Sequence, residues 1–291
     1  MTTKLRTGVL GLGAMGAPMA RHLQAAGLLT VIWNRTESVA RALAEELLVP
    51  VAADPAALAR DCDVVLTCVS ADADLESVLG QLEPGLSAGK VVLDTSTVSP
   101  GITRRLAAGL AEHGVDYVDA PVSGGVEGAR AGTLSVMAGG NSTTLARIRP
   151  VLEAISARIT HMGPVSSGQA TKAVNQVIVG GLAEAVCEAL ALAERMELPA
   201  KPLLEVLSAG AAGSWFLDHR GATMLADEFT PGFKSGLLLK DLRICADLAQ
   251  ELHFPLPMVD ATIRDYERLV AEGGAEDDTS ALIRVKRDAH S

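Results

Sequence analysis

Short runs of β-branched and other apolar residues alternate with amphipathic stretches through the first half of the chain. The apolar runs predict strands at 7–12, 28–33, 63–69, 90–94, 115–119 and 134–139. Ala and Leu recur at helical spacing between them and predict helices at 14–27, 37–47, 54–61, 72–80, 99–114 and 143–155. Strands that alternate with helices form βαβ units with right-handed crossovers. The first half is therefore predicted to be an α/β domain with a mostly parallel, doubly wound sheet.

The pattern changes near residue 163, and no strand is predicted beyond Val165. The stretch SSGQATKAVNQVIVGGLAEAVCEALALAERM predicts one long helix over about 165–196, with a serine at its start and Pro199 just past its end. Further helices are predicted near 200–209, 214–226, 235–252, 257–271 and 277–288. The chain is thus expected to have an α/β domain at 1–163 and an all-α domain at 164–291, joined by the long helix.

Composition agrees with two domains and excludes several classes of partner. The chain has 291 residues, which is long for one core. Its net charge is −10 without a Lys/Arg-rich run, so no nucleic-acid partner is expected. The apolar stretch at 173–193 carries Glu184 and Glu188, which argues against a membrane span.

Cysteine and histidine usage indicates a reducing compartment and no metal site. The four cysteines show no CxxC spacing, and the six histidines form no pair at metal-ligand spacing. The N-terminal MTTKLRTGVLGLG lacks the cleavage-type segment of a signal peptide. We therefore expect a cytoplasmic protein.

A glycine-rich motif follows the first predicted strand. Gly11, Gly13 and Gly16 form G-x-G-x-x-G before a helix, which is the arrangement that binds a dinucleotide pyrophosphate. The alternative is a merely structural tight turn. The residues predicted to contact the cofactor here are Gly11, Leu12, Gly13, Ala14, Met15 and Gly16.

The second predicted strand ends at Asn34-Arg35-Thr36, where NAD-binding domains usually carry an acid for the ribose 2′-hydroxyl. Arg35 can instead pair with a 2′-phosphate, while Asn34 and Thr36 donate hydrogen bonds. NADP(H) is therefore predicted as the preferred cofactor, with NAD(H) as the alternative. A solvated turn residue is the other interpretation of Arg35.

Loops after later strands are expected at the same edge of the sheet, because ligands lie at the carboxyl ends of parallel strands. Val69 follows the third predicted strand, and Ser96 follows the fourth. Both are predicted to contact the cofactor. Ser96 also belongs to a serine and threonine cluster that can cap the next helix, and both roles are compatible.

Two further segments carry candidate substrate chemistry. Ser123-Gly124-Gly125 offers a hydroxyl and two unobstructed backbone N–H groups, which suit a carboxylate, although a hairpin or bulge turn is the alternative. Lys172 lies in the long helix, with Asn175 and Gln176 one turn further on. A lysine can give a proton to a carbonyl oxygen as hydride arrives at carbon, or accept it in reverse. Taken alone, such a lysine is more often one that extends to the surface.

Four segments together resemble the β-hydroxyacid dehydrogenase family, which includes 3-hydroxyisobutyrate dehydrogenase, tartronate semialdehyde reductase and the glyoxylate/succinic semialdehyde reductases. They are GLGAMGAPMA (11–20), DAPVSGGVEGARAGTLSVMAGG (119–140), GQATKAVNQ (168–176) and LLLKDLRICADLA (237–249). The resemblance implies a Rossmann domain joined to a helical domain by a long helix. It also implies that Lys172 is the general acid/base.

Further roles follow from the same resemblance. Residues matching Ser123, Gly124 and Asn175 hold the substrate, and Lys240 closes over cofactor and substrate. The sequence at 34–36 is similar to that of NADP-preferring members.

The expected function is an NADP(H)-dependent oxidoreductase that interconverts a short β-hydroxy acid and its semialdehyde or oxo acid. A small carboxylate is the expected substrate, and a homodimer or homotetramer is the expected assembly. The alternatives are an imine reductase-like enzyme, whose members usually lack this lysine, and a catalytically silent nucleotide-sensing module.

Overall fold

The structure is a computed structural model that describes residues 4–288. Residues 1–3 of the first predicted domain and residues 289–291 of the second lie outside the described part. The strands are β1 (Thr7–Leu10), β2 (Leu29–Trp33), β3 (Val64–Thr67), β4 (Val91–Asp94), β5 (Asp116–Asp119), β6 (Val122–Ser123), β7 (Leu134–Gly139) and β8 (Ser156–Gly163). The α-helices are α1 (Gly16–Ala25), α2 (Glu37–Leu47), α3 (Pro55–Asp61), α4 (Asp72–Leu82), α5 (Pro100–Glu112), α6 (Gly125–Ala131), α7 (Ser142–Ile155), α8 (Ser167–Arg195), α9 (Ala200–Ala209), α10 (Trp215–Leu225), α11 (Ser235–Glu251), α12 (Pro257–Ala271) and α13 (Leu282–Asp288).

The strands form one sheet in the order β2-β1-β3-β4-β5-β7-β6, and β8 pairs with β7. Strands β1 to β5 pair in parallel, and β7 runs antiparallel to both β5 and β6. Every residue of β1, β3 and β4 is buried, which explains their continuous apolar runs, because helices cover both faces of a parallel sheet. The predicted mostly parallel Rossmann sheet is confirmed.

Three elements of this first part were not predicted: the two-residue strand β6, the strand β8 and the helix α6. Strand β8 pairs in parallel with β7, yet only Ser156 of its eight residues is buried, so it has no apolar alternation. Helix α6 lies within GVEGARA, where two glycines hide the helical pattern. Sequence patterns depend on the periodicity that burial of one face produces, and β6, β8 and α6 each bury too few residues to show it.

The second part contains α9 to α13 and the remainder of α8, so the predicted all-helical half is confirmed. Its core combines small and aliphatic side chains with the aromatic rings of Phe216, Phe229 and Tyr266, and Ala183, Cys187 and Leu190 of α8 are fully buried. The chain divides into two compact units inside α8, between Lys172 and Ala173. The predicted domain boundary at 163/164 stays a prediction.

Helix α8 has 29 residues and is the connecting helix that the sequence predicted over about 165–196. By length and composition it is apolar enough to cross a bilayer. Its inward face, however, lies in the core of the second unit, and its Glu184 is hydrogen-bonded by Lys286. Burial in this core therefore accounts for the apolar residues on the inward face of α8.

Candidate active site

The glycine-rich loop joins β1 to α1 at the point where the strand order reverses, since β1 lies between β2 and β3. Gly11 has a φ of +90°, and a Cβ there would lie 2.1 Å from the carbonyl oxygen of Cys68 at the end of β3. A Cβ on Gly16 would lie 1.9 Å from the carbonyl oxygen of Gly11. Around Gly13, by contrast, a Cβ would meet no described atom within 4 Å.

These three positions fit a dinucleotide. Gly11 and Gly16 permit the close contacts that bring α1 up to the sheet, and Gly13 leaves backbone accessible from open space. The first turn of α1 points its N–H groups toward this loop with a partial positive charge, which favours a pyrophosphate. The loop therefore has the geometry of a phosphate cradle, and Leu12, Ala14 and Met15 lie within it.

Asn34, directly after β2, braces the glycine-rich loop. Its Oδ1 accepts a hydrogen bond from the backbone N–H of Leu12 at 2.9 Å. Its Nδ2 donates to the carbonyl oxygen of Thr36 at 3.1 Å. Two of the predicted cofactor residues are thus brought together, with Asn34 in a supporting position.

Arg35 is 85% exposed in its side chain and forms an ion pair with Asp74 of α4 at 3.0 Å. Its guanidinium therefore extends into solvent beside the loop that follows β3. The sequence reasoning missed Asp74. The signal that was present is its position in the first turn of the helix after β3, because the loops after β2 and β3 lie at the same edge of the sheet.

Ser96, after β4, is buried and connects two strand ends. Its Oγ accepts a hydrogen bond from the backbone N–H of Val69 at 2.9 Å. The two residues predicted from the later loops are therefore in direct contact. The helix after this loop is capped by another residue, because the Ser99 side chain accepts from the N–H of Ile102.

A buried carboxylate, which the sequence did not single out, lies beneath this loop. Asp94 at the end of β4 accepts hydrogen bonds from Thr67 Oγ1 at 2.8 Å, Ser96 N–H at 3.1 Å and Tyr117 Oη at 3.0 Å. Burial raises the pKa of Asp94 to about 6, although these hydrogen bonds oppose the shift. Asp94 thereby holds the ends of β3, β4 and β5 in register.

The predicted substrate loop lies between β6 and α6. Ser123 ends β6, and Gly124 and Gly125 have φ values of +128° and +62°. Consecutive positive φ angles favour glycine and turn the chain directly into α6. The segment therefore forms the start of a helix and neither a hairpin nor a bulge turn, and its role in holding a carboxylate stays a prediction.

The start of helix α8 is hydrogen-bonded to the sheet and packs closely against it. Asp119, the last residue of β5, accepts hydrogen bonds from the N–H groups of Ser166 at 2.8 Å and Gln169 at 2.9 Å. A Cβ on Gly168 would lie 2.3 Å from the carbonyl oxygen of Met137 in β7, so the first turn lies directly against the sheet. Burial raises the pKa of Asp119, and the N–H groups of this helix start oppose the shift.

Gln169 adds two hydrogen bonds that join α8 to the loop after β4. Its Nε2 donates to the carbonyl oxygen of Ser96 at 2.8 Å, and its Oε1 accepts from the N–H of Val98 at 3.3 Å. Lys172 follows three residues later, and it is 8% exposed. This burial excludes a lysine that extends into bulk water.

In the second unit, four polar side chains form a continuous chain. Asn175 Nδ2 donates to Gln176 Oε1 at 2.8 Å, and Gln176 Nε2 donates to Asp241 Oδ2 at 2.6 Å. Lys240 Nζ lies 2.9 Å from Asp241 Oδ1 in an ion pair. Two predicted ligand-binding residues, Asn175 and Lys240, are therefore connected through Gln176 and Asp241, to which the sequence reasoning assigned no role.

Comparison with known proteins agrees with both parts of the chain. A family model described as "NAD binding domain of 6-phosphogluconate dehydrogenase" matches residues 6–163. A second, described as "NAD-binding of NADP-dependent 3-hydroxyisobutyrate dehydrogenase", matches residues 166–286. Together they cover nearly the whole described chain.

Individual relatives are similar over their full length. An uncharacterized oxidoreductase of Synechocystis sp. is 36% identical over 285 residues, covering 97% of this chain and 98% of the relative. The 2-hydroxy-3-oxopropionate reductase of Escherichia coli is 36% identical over 288 residues, covering 97% of each. The solved structure of Mycobacterium tuberculosis 3-hydroxyisobutyrate dehydrogenase with L-serine has a TM-score of 0.88 at 31% identity, covering 98% of this chain and 100% of that one.

One assignment follows from three observations. They are the glycine-rich cradle, the start of α8 bound by Asp119, and the matches over both halves of the chain. The protein binds a pyridine nucleotide and is an NAD(P)-dependent dehydrogenase. The chain belongs to the β-hydroxyacid dehydrogenase family.

Proposed function

We propose that this enzyme interconverts a short β-hydroxy acid and its semialdehyde with NADP(H) as the preferred cofactor and Lys172 as the general acid/base. The observation that carries the proposal is the burial of Lys172 one turn beyond a helix start that Asp119 and Gln169 fix to the sheet. A lysine held in this way keeps its ammonium group out of bulk water and in a constant position relative to the strand ends.

The proposed chemistry divides between proton transfer and substrate binding. When bound, the nicotinamide supplies the hydride in reduction and accepts it in oxidation. Lys172 Nζ gives a proton to the aldehyde oxygen during reduction and takes the proton from the hydroxyl during oxidation. The Ser123 hydroxyl and the N–H groups of Gly124 and Gly125 hold the substrate carboxylate, and Asn175 assists.

The substrate class is inferred from the names of the relatives. 2-Hydroxy-3-oxopropionate, 3-hydroxyisobutyrate and L-serine are small carboxylic acids with an oxygen function on the β-carbon. An enzyme that reads the carboxylate at one end and the β-oxygen at the other would accept this class. We propose the same class for this chain, in which the Ser123 loop supplies the first recognition and Lys172 the second.

The preference for NADP(H) rests on Arg35. Its exposed guanidinium follows β2, and the first acid after it is Glu37 at the start of α2. An arginine in this position pairs well with a 2′-phosphate, because its planar donors match phosphate geometry. Asp74 competes for the same guanidinium, so we propose a moderate preference in which NAD(H) is also used.

A substrate panel tests the proposal. Oxidation of NADPH is followed with glyoxylate, succinic semialdehyde, tartronate semialdehyde and methylmalonate semialdehyde, and a parallel arm supplies cyclic imines. Turnover of at least one semialdehyde acid, lost in Lys172→Ala, is the expected result. Turnover of imines alone would assign the rival chemistry, and tight NADPH binding without any turnover would assign a silent nucleotide-binding module.

We also propose a homodimer or homotetramer in the cytoplasm. Helix α8 exposes Val174, Ile178, Leu182 and Leu192 along one side, at the helical spacing that forms a stripe. A second copy of the chain is the occupant that a stripe on a symmetric assembly would meet. Light scattering on the wild type and on Ile178→Glu tests the proposed assembly, and a wild-type monomer would contradict it.

The four cysteines are free thiols, in keeping with the reducing compartment that we propose.

A further inference from the structure

The polar chain Asn175–Gln176–Asp241–Lys240 is deeply buried at its centre. Gln176 is 1% exposed and Asp241 is 3% exposed, and aliphatic side chains of the second unit's core, including Leu238 and Leu242, flank Asp241 on α11. Buried polar groups are costly unless their hydrogen bonds are made within the protein. Gln176 and Asp241 are therefore held in place by their hydrogen-bond and ion-pair partners among these four side chains.

The chemistry of these four side chains determines which group donates and which accepts in each of their hydrogen bonds. An ionised carboxylate accepts hydrogen bonds and donates none, so Gln176 must turn its NH₂ group toward Asp241. The carbonyl oxygen of Gln176 then faces Asn175, and it can only accept. Asn175 must in turn present an N–H to Gln176, and both contacts are within hydrogen-bond range, at 2.8 Å for Asn175–Gln176 and 2.6 Å for Gln176–Asp241.

We propose that Asp241, acting through Gln176, fixes the orientation of the Asn175 amide, and that its second oxygen holds the Lys240 ammonium. Asp241 and Gln176 are thus positioning residues for two side chains that the proposed function assigns to substrate and cofactor binding, and the inference rests on that function. The bond to Gln176 uses one of the two N–H groups of Asn175. Its second N–H and its carbonyl oxygen are left to bind a substrate, and Asp241 of helix α11 sets their orientation through Gln176.

Gln176→Leu separates the two branches, because it breaks the path to Asn175 and keeps the Asp241–Lys240 ion pair. With tartronate semialdehyde as the substrate, we expect kcat/KM to fall by about tenfold, in the range that loss of one well-placed hydrogen bond produces. The Kd of NADPH, measured by calorimetry, should stay within about twofold. A variant that is merely less stable would change the unfolding midpoint and leave kcat/KM per folded enzyme unchanged.

A double-mutant cycle shows through which residue Gln176 acts. In an Asn175→Ala background, Gln176→Leu should cost less than about twofold, because the amide it orients is gone. In a Lys240→Ala background it should keep its full effect of about tenfold. Equal effects in both backgrounds would overturn the proposal.

A second arm is independent of turnover and uses a variant of nearly identical shape. Asp241→Asn removes the charge that imposes the direction, since an amide can both donate and accept. With ¹⁵N-labelled Asn and Gln side chains, the NH₂ signal of Asn175, assigned by its loss in Asn175→Ala, should shift in Asp241→Asn. The exposed Asp260→Asn in α12 is the matched control and should leave it in place.

The two arms distinguish the failure of the proposal from failure of the proposed function. An Asn175 signal that does not move in Asp241→Asn overturns the positioning role, whatever the enzyme turns over. A signal that moves in a protein inactive on every semialdehyde supports the positioning role and contradicts the proposed substrate class.

Discussion

Two lysines are buried to a similar extent, and their surroundings differ. Lys172 in α8 is 8% exposed, and the side chain of Lys286 in α13 is 10% exposed. Lys286 is surrounded by carboxylates, since it hydrogen-bonds to Glu184 and Asp265, and Glu188 lies 3.8 Å away. Lys172 lies one turn beyond a helix start that backbone and amide hydrogen bonds hold to the sheet.

The comparison teaches that burial of a lysine does not by itself indicate catalysis. Burial tends to lower the pKa of Lys286, but the hydrogen bonds to Asp265 and Glu184 outweigh it and raise the pKa overall. An ammonium that is locked in its charged form joins helices and does not exchange protons. The two sites should therefore respond in opposite ways to removal of the lysine, one in turnover and the other in stability.

Lys172→Ala should have the largest effect. Turnover is expected to fall by about a thousandfold, because the proposed proton donor to the substrate oxygen is lost. The unfolding midpoint and the Kd of NADPH should stay close to the wild type. Steady-state kinetics, calorimetry and thermal unfolding measure the three quantities, and turnover near the wild-type value would remove the proposed acid.

Lys286→Met should do the reverse. Removing one partner of a buried ion cluster leaves charges uncompensated, so the free energy of unfolding should fall by about 3 kcal/mol. Turnover measured well below the unfolding midpoint should remain close to wild type. Denaturant unfolding and kinetics on the same preparation test this, with Lys201→Met, an exposed lysine of α9, as the control. Loss of turnover without loss of stability would break the comparison.

The same variant carries a pH signature. Burial raises the pKa of Glu184, and its hydrogen bond to Lys286 opposes the shift. A carboxyl whose pKa is raised on folding stabilises the fold below its ordinary pKa, and that contribution is lost as pH rises through the folded value. Without the ammonium the pKa of Glu184 should rise further, so Lys286→Met should gain more stability than the wild type as the pH is lowered from neutrality toward the ordinary pKa of glutamate.

Arg35 extends the comparison to a cation that water surrounds. Arg35→Asp should shift the ratio of kcat/KM for NADPH over NADH by about a hundredfold toward NADH, because a carboxylate repels the 2′-phosphate and accepts from a 2′-hydroxyl. Kinetics with both cofactors and direct titration measure the shift. An unchanged ratio would contradict the predicted preference.

Asp74→Asn should have the smallest effect. An exposed ion pair contributes up to about 1 kcal/mol, so releasing Arg35 from Asp74 should tighten NADP⁺ binding by about threefold. Binding of NAD⁺, which has no 2′-phosphate, should stay unchanged. Calorimetric titration with each cofactor checks the difference, and equal changes for both would show that Asp74 acts on the site in some other way.

Sequence patterns predicted elements where side-chain periodicity or backbone geometry leaves a local trace. Gly11, Gly13 and Gly16 are such a case, because the close contacts at Gly11 and Gly16 and the open space beside Gly13 all belong to one loop. Strand β8 left no trace, since its exposed residues carry no alternation and its place is set by pairing with β7.

The buried carboxylates were beyond the reach of sequence patterns for a related reason. Asp119 lies 47 and 50 residues from the helix start it binds, and Asp241 lies 65 residues from Gln176. An isolated aspartate at the end of a strand or within a helix has many possible roles. Its role is determined by its hydrogen-bond partner, which lies far away in the sequence and comes close only in the folded protein.

The course of α8 through the division of the chain has a practical consequence for building hybrids. The helix passes without interruption from Lys172 to Ala173, so a splice at the division between the two units would fall inside a continuous helix and within three residues of Asn175. Hybrids that exchange nucleotide-binding halves between relatives should instead be joined upstream of Pro164. Lys172 and its whole helix then come from one parent, while Asp119, which binds the start of that helix, comes from the other.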